Sequence, residues 1–300
     1  CYLLALKEYT IDSRGDIGAW VREAAMTAKL FSVLNENLMA NIIGGIAQQA
    51  VERIDGIRAQ AGIVFKNIEW RMESATFPRF IKMLSYPPYT MNLLRGIIFS
   101  VGGLSESLVK YSSVSLFSYL QELDELGLKS LCYKILNIFE ESHKNERMIT
   151  SMLAFLDRLL SSGCIQVVLD DFENEIAEQI LILLKQEIKN TNNTKLLISS
   201  INVFCQLLQV VIAKRAFCQL SIFLCHKYKC IRKVAALRTY EALTLYGEEM
   251  DLPEQDLMKI LTELNVTDWE QSVSELRPIR NNLCDLMKVP APILQNKVMN

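Results

Sequence analysis

Apolar residues recur at three- and four-residue spacing along nearly the whole of this 300-residue chain. The segment Met148–Leu160 shows the pattern clearly, and Ile231–Tyr246 repeats it in the second half. This spacing places apolar side chains on one face of an α-helix, whereas the alternation typical of a half-buried strand is scarce. The chain is therefore predicted to be all-α.

Glycine and proline pairs interrupt this pattern and mark the predicted helix boundaries. Pro87-Pro88 is expected to end one helix, because proline lacks a backbone N–H and restricts the residue before it. Gly102-Gly103 is expected to end the next, because glycine carries the largest backbone entropy cost in a helix. Gly44-Gly45, Gly127 and Ser161–Gly163 are predicted to be further turns or stops. The predicted helical segments are Val33–Phe65 (as two helices), Tyr89–Phe99, Ser112–Leu126, Leu131–Phe139, Met148–Leu160, Phe172–Ile188, Lys195–Ile212, Ala216–His226, Ile231–Tyr246, Pro253–Leu264 and Leu276–Met287.

Two short motifs favour stacked helix pairs over a conventional bundle. Asp16 followed by Val21-Arg22-x-x-Ala25 has the arrangement of the second helix of a HEAT repeat, and Ile231-Arg232-x-x-Ala235 repeats the second part of it. In such a repeat the aliphatic and alanine side chains pack inward, and the arginine pairs with an acidic residue of the same or the next repeat. The predicted fold is a HEAT/armadillo-like α-solenoid of stacked helix pairs, and a single helical bundle is the alternative.

The segment Ile68–Thr76 matches neither of its neighbours in pattern, so the domain boundary is placed there. Residues 1–68 are predicted to be N-terminal HEAT-like repeats, and residues 69–300 a C-terminal helical domain. Because the chain opens without Met and without a signal sequence, it is interpreted as the C-terminal part of a longer protein.

Charge and hydropathy argue against two classes of partner. The net charge is −2, and the densest basic stretch, Lys227–Lys233, is interpreted as a solvated helix edge rather than a nucleic-acid surface. The apolar run Ile180–Leu184 is far shorter than the ~20 residues that span a bilayer. No nucleic acid and no membrane insertion are expected.

The eight cysteines are scattered, mostly at apolar helical positions, and form no Cys-x-x-Cys pair. Buried thiols in a reducing compartment fit this distribution better than a disulfide scaffold. Cys218, Cys225, His226 and Cys230 cluster in sequence, but their spacing matches no standard set of zinc ligands. No metal and no cofactor are predicted.

Catalytic signatures are also missing. The two histidines, His143 and His226, lie in no recognisable motif, and neighbouring residues on a helix, such as Cys225 and His226, point about 100° apart. Gly102-Gly103 lacks the lysine and the strand-to-helix context of a phosphate-binding loop. Paired acids such as Asp170-Asp171 are interpreted as solvent-facing helix ends. The chain is predicted not to be an enzyme and to offer its surface to another protein.

Several segments resemble the C-terminal region of the tubulin-folding cofactor D family. The most specific matching segments are Glu106-Ser107 and Ser115-Leu116-Phe117, which follow the double glycine. The resemblance thins between about Leu126 and Lys229, and the family has a longer connection where Ile68–Thr76 stands. The matching segments occur in the same order as in the family, and they are Asp12–Ala25, Gln48–Ala59, Leu84–Tyr119 and Thr267–Pro290.

This resemblance implies a function that composition does not. Members of the family are cytosolic chaperones that capture β-tubulin after its release from the chaperonin. They work with cofactors E and C and an Arf-like small GTPase in assembling and dismantling the α/β-tubulin heterodimer, with microtubule or centrosome association. The complex stimulates GTP hydrolysis by tubulin, but its arginine finger is attributed to cofactor C. Arg14 and Arg22 are therefore interpreted as ladder residues, not as fingers.

Aromatic and arginine side chains are the usual anchors of a protein interface, so they supply the candidate contacts. Each also has a structural interpretation, and Trp20, on the apolar side of its helix, is expected to be packed in the core. Replacing Arg277 and Arg280 by Ala is predicted to weaken tubulin or GTPase binding without unfolding. A generic HEAT scaffold for other partners is the alternative function, and a helical enzyme with an unrecognised pocket has no support. The candidate partner-binding residues are Trp20, Gly102, Gly103, Glu106, Trp269, Arg277 and Arg280.

Overall fold

The computed structural model describes residues 2–13, 15–27, 36–67, 77–171 and 175–292. The chain divides into two compact units, Cys1–Arg158 and Leu159–Asn300. The described residues form sixteen α-helices and one hairpin of two-residue strands, which the sequence pattern did not predict.

The first unit contains the hairpin and the longer set of helices, of which the last, α9, runs across the boundary between the units. Strands β1 (Ile11–Asp12) and β2 (Gly15–Asp16) pair antiparallel. The helices are α1 (Tyr2–Ala5), α2 (Gly18–Thr27), α3 (Glu36–Ala50), α4 (Asp55–Asn67), α5 (Phe77–Lys82), α6 (Pro87–Val101), α7 (Glu106–Gln121), α8 (Glu125–Glu141) and α9 (Glu146–Ser161).

In its described residues, the second unit consists of helices and the turns and short loops that connect them. Its helices are α10 (Gln166–Leu169), α11 (Ile176–Ile188), α12 (Thr194–Gln206), α13 (Ala213–Leu224), α14 (Lys229–Tyr246), α15 (Glu254–Val266) and α16 (Val273–Leu286).

Helices close in sequence pack against each other in both units. In the first, α3 packs against α4 and α6, and α6 also packs against α7. In the second, α12, α13 and α14 are in mutual contact, and α15 packs against α14 and α16. Aliphatic and aromatic side chains from these faces form the cores, and Phe139, Phe155, Phe204 and Phe217 are among the largest fully buried groups. The predicted all-α solenoid class is confirmed.

Local chemistry explains where several helices begin. Pro87 and Pro88 start α6, where their missing N–H groups cost nothing, and the preceding helix has ended as predicted. The Asp124 side chain caps α8 by accepting from Gly127 N, and Asn193 caps α12. Ser272 and Glu275 form a capping box at the start of α16.

Two predicted glycine turns are wrong. Helix α3 continues through Gly44-Gly45, because these glycines allow close packing rather than a turn: a Cβ on Gly44 would lie 2.4 Å from Asn92 Nδ2 of α6. Gly127 lies in the first turn of α8 instead of ending a helix, since the Asp124 cap begins the helix just before it. Sequence spacing alone does not distinguish a packing glycine from a turn glycine.

The other helix ends differ from their predicted positions by up to six residues. Helix α7 begins at Glu106 rather than Ser112, and α12 ends at Gln206 rather than continuing to Ile212. Arg14 and the segment Ile68–Thr76 lie outside the described residues. The domain boundary placed near residue 68 therefore stays a prediction.

Candidate functional site

Arg22, the arginine of the first HEAT-like motif, is fully buried, with 0% of the residue exposed. Its guanidinium forms an ion pair with Asp16, with NH2 3.0 Å from Oδ2, and Nε donates to Gln49 Oε1 at 3.0 Å. NH1 donates to the backbone carbonyl of Glu8 and to Asp16 Oδ1. The predicted pairing of this arginine with an acid of the same repeat is confirmed, but the neighbouring Val21 is exposed, not packed inward.

A second arginine, Arg147 of α9, joins the same cluster from far along the chain. Its NH1 lies 2.7 Å from Asp16 Oδ2, and its NH2 lies 2.9 Å from Oε1 of the buried Glu52. Burial alone would raise the pKa of Asp16, but the hydrogen bonds from Arg22 and Arg147 outweigh it and lower that pKa. In these direct ion pairs, two cations and two carboxylates balance one another out of water, and the charge of the half-buried Arg53 also acts on both carboxylates.

Tyr9 closes this four-residue ion cluster. Its ring lies under both guanidinium groups, with the Arg22 and Arg147 Cζ atoms 4.2 and 4.3 Å from the ring centroid. Its hydroxyl accepts hydrogen bonds from the side-chain amides of Gln48 and Gln49. Burial, reinforced by the charge of Glu52, raises the pKa of Tyr9. The cluster therefore ties together the N-terminal segment, α2, the end of α3 and α9.

The double glycine lies where the end of α6 meets α9. A Cβ on Gly102 would stand 2.0 Å from the backbone oxygen of Ser151, so only glycine permits this approach. Arg158 of α9 donates to the carbonyl of Val101 at the end of α6. The predicted break at Gly102-Gly103 is confirmed, and its immediate cause is packing within the first unit.

The second HEAT-like motif buries its arginine in another way. Ile231 and Ala235 pack inward as predicted, but Arg232 has no carboxylate among its hydrogen-bond acceptors in the described residues. Its Nε donates to the carbonyl of Trp269 at 2.8 Å, and NH2 to that of Gln271 at 2.9 Å. NH1 donates to the carbonyls of His226 and Lys227. The predicted acidic partner of Arg232 is therefore wrong.

Backbone carbonyls take the place of the acid because two turns lie beside the Arg232 guanidinium. The turn at His226–Lys227, before α14, and the turn at Trp269–Gln271, between α15 and α16, both present carbonyl oxygens that no helix uses. A planar guanidinium with five donors can satisfy several of them at once. The Trp269 ring is buried beside this site, and its Nε1 donates to the carbonyl of Leu264 at 3.0 Å.

The predicted partner-binding residues divide between the two units. Trp20 is 65% exposed, so its expected place in the core is wrong. Helix α2 buries Gly18, Arg22 and Met26, and a residue two positions from Arg22 points to the opposite side.

The remaining candidates differ in accessibility. Glu106 is exposed at the start of α7, and Arg277 is half-buried on α16. Trp269 and Arg280 are buried, and Arg280 donates to Asn281 Oδ1 at 2.9 Å and to the carbonyl of Pro292 at 3.4 Å. The candidates within each unit therefore do not form one continuous cluster of exposed side chains.

Sequence reasoning did not find Arg147, Glu52 or Tyr9. Arg147 is paired with Asp16 across 131 positions, and no local motif marks such a pair. Gln48-Gln49 in an otherwise apolar helical stretch was the available signal, because paired amides on a buried face need polar partners.

The cysteine and histidine side chains in the described part of the chain differ in burial. Cys132, Cys205 and Cys284 are buried, whereas Cys230 is exposed. Burial, with the charges of Lys227 and Arg232, lowers the pKa of His226. No group of three or more His, Cys, Asp or Glu side chains in these residues is placed to hold a metal ion. None of the described helices combines the length and apolarity that crossing a membrane requires.

Comparisons with known proteins point to one family. The model of the family described as "Tubulin folding cofactor D C terminal" matches residues 40–69 and 64–196, just over half of the chain. Tubulin-specific chaperone D of Dictyostelium discoideum is 26% identical over 268 residues, an alignment that covers 68% of this chain. It covers only 18% of that relative, so the chain spans a small part of its length. No solved structure gave a significant match.

Proposed function

Since the chain belongs to the family of tubulin folding cofactor D C-terminal regions, we propose that it is part of a tubulin-folding chaperone that binds β-tubulin. The observation that carries the proposal is the family match over residues 40–196, supported by the similarity to a tubulin-specific chaperone D. The protein acts in the cytoplasm with cofactors E and C and an Arf-like small GTPase to assemble and dismantle the α/β-tubulin heterodimer. It is not itself an enzyme, and it contributes to a complex that stimulates GTP hydrolysis by tubulin.

The first unit has features that suit a client-binding surface. Its interior charges are already paired in the cluster around Arg22, so a partner would not have to reorganise them. Large apolar side chains are exposed in this unit both on α2 and on α7 with the turn before it. Those on α2, α7 and the turn before α7 are Trp20, Val21, Leu104, Tyr111 and Val114.

The candidate residues then take different roles. Trp20, as an exposed aromatic residue, and Arg277, as an accessible arginine, contact the partner directly, because such side chains dominate interface energetics. Glu106 contributes a charge at the exposed start of α7. The buried residues Gly102-Gly103, Trp269 and Arg280 support the surfaces on which the contacts lie.

The test is retention of purified β-tubulin by the immobilised protein, with and without the Arf-like GTPase. Trp20→Ala is expected to weaken binding by about tenfold or more, since it truncates an aromatic anchor. Leu126→Ala is the matched control, because Leu126 is an equally exposed apolar residue on α8 outside the candidate set. Its variant should bind like the wild type.

Two results would contradict the proposal. One is failure of the wild-type protein to retain β-tubulin under conditions where circular dichroism shows it folded. The other is equal retention of an unrelated globular protein, which would favour the generic HEAT scaffold. Arg277→Ala tests the contribution of an arginine to binding better than replacement of both Arg277 and Arg280. The buried Arg280 also supports the fold, so its loss would change stability as well as binding.

A further inference from the structure

A cavity of about 510 Å³ opens in the first unit beside the ion cluster. It lies between the segment that follows α1, helices α3 and α6, the end of α8 and the start of α9. The residues whose chemistry matters below are Lys7, Glu8, Arg95, Phe99, Glu141 and Arg147.

The carboxylates in this cavity are already engaged. Glu8 accepts from the backbone N–H of Thr10 at 2.9 Å and from its hydroxyl, and these bonds lower the pKa of Glu8. Glu141 forms an ion pair with Arg95 at 2.5 Å. Lys7, by contrast, is exposed and forms no ion pair with any residue that the structure describes. Arg95 and Arg147 are paired with carboxylates, so Lys7 is the cation of this lining whose charge is unmatched in the described residues.

Arg147 also lines the cavity, and one of its buried donors is unmatched. Its side chain is only 9% exposed, and its two terminal nitrogens bind Asp16 and Glu52. Its Nε is buried and has no hydrogen-bond partner in the described residues. A buried donor without an acceptor is costly, and native proteins rarely leave one unpaired. An acceptor atom from a ligand would remove that cost.

One wall of the cavity is apolar. Phe99 and Met148 line it, and the Phe99 ring packs on Tyr9 with the centroids 5.5 Å apart. A ligand that fits this lining therefore combines hydrogen-bond acceptors and negative charge with an apolar or aromatic group. An acidic peptide with an aromatic residue among its carboxylates has this chemistry.

We propose that this cavity is a binding site for an acidic peptide segment of the client protein. A carboxylate of the segment lies near Lys7 and Arg147, and a neighbouring aromatic side chain packs against Phe99 and Met148. The inference rests on the proposed function in one respect, since it takes the ligand to be part of a protein client.

The test uses fluorescence anisotropy with the labelled peptide Glu-Glu-Phe-Glu-Glu and its amide analogue Gln-Gln-Phe-Gln-Gln. The acidic peptide is expected to bind about tenfold more tightly, and added salt should reduce its affinity. Lys7→Glu should weaken its binding by about tenfold, whereas Lys7→Arg should preserve it. Lys110→Glu is the matched control, because Lys110 is an exposed lysine on α7 outside the cavity.

Equal affinity for the two peptides would overturn the site, as would an unchanged affinity in Lys7→Glu or an equal loss in Lys110→Glu. The β-tubulin retention assay, run on the same samples, separates the two proposals. Retention of β-tubulin without peptide binding overturns the site and leaves the chaperone function standing. Peptide binding that passes these controls without retention of β-tubulin supports the site and overturns the chaperone function.

Discussion

The two HEAT-like motifs bury the same residue at the same motif position and satisfy it in opposite ways. In the first unit, Arg22 is held by the Asp16 carboxylate within a cluster that includes a second arginine. In the second unit, Arg232 is held by backbone carbonyls from two turns. A motif can thus require a buried guanidinium without determining which acceptors it binds.

The difference matters because carboxylates and carbonyls respond differently to loss of the arginine. Without Arg22, Asp16 and the buried Glu52 would keep their ion pairs with Arg147 and the longer-range charge of the half-buried Arg53. Without Arg232, several neutral oxygens would lack a donor, but no charge would be left buried. Uncompensated buried charge costs more than an unmade neutral hydrogen bond. The first unit is therefore the more vulnerable to substitution at this position.

The largest expected effect follows from Arg22→Met, which keeps most of the side-chain volume and removes the charge. It should lower the free energy of unfolding of the first unit by about 3–5 kcal/mol, because it removes the cation of a buried ion pair and leaves Arg147 to pair directly with both carboxylates. Urea-dependent hydrogen exchange of peptides from α2 and α3 measures this unit separately. A loss below about 1 kcal/mol would show that the cluster admits water.

Arg232→Met should have a smaller effect in the second unit. The expected loss is about 1–3 kcal/mol, because the freed carbonyls are neutral and some of them can bind water. Hydrogen exchange of peptides from α14 and of the turn at residues 269–271 measures it. If this loss equals or exceeds that of Arg22→Met, the comparison between carboxylate and carbonyl acceptors fails.

Low pH should also destabilise the cluster around Arg22 more than the site around Arg232. The pKa of Asp16 is lowered in the folded protein, so Asp16 contributes stability that is present above its unfolded pKa, about pH 4, and is lost as the pH falls through its lower folded value. The carbonyls around Arg232 do not titrate. Exchange of α2 peptides should therefore accelerate between about pH 4 and pH 2, relative to the intrinsic rate at each pH, more than that of α14 peptides. In Arg22→Met this dependence should become shallower.

The fold was predictable to the extent that it depends on local pattern. Three- and four-residue spacing identified Met148–Leu160 and Ile231–Tyr246 to within two residues at each end, because each helix buries one apolar face. Gly44-Gly45 was predicted wrongly, since a neighbouring helix explains these glycines and a turn does not. Long-range packing is the information that a local pattern lacks.

The candidate site was less predictable for the same reason. Asp16 and Arg22 lie within one motif and were recognised together, whereas Arg147 reaches them from α9. Trp20 was misplaced because apolar character was read as burial, although the buried side of α2 is fixed by Arg22 and Met26. Where an arginine is the buried residue of a helix, an apolar residue on the opposite side, such as Trp20, is exposed, and hydrophobicity alone gives the wrong prediction.

The smallest effect is expected at an ion pair whose length matches one in the buried cluster. Lys233 Nζ lies 2.7 Å from Glu270, as Arg147 does from Asp16, but the side chains of this surface pair are 59% and 48% exposed. Water already solvates both charges and salt screens them, so Lys233→Met should leave the exchange of α14 peptides unchanged within error. A measurable loss that disappears at high salt would mean that the surface pair stabilises the turn carrying the Arg232 acceptors. In that case, acceptor type alone would not explain the difference between the two units.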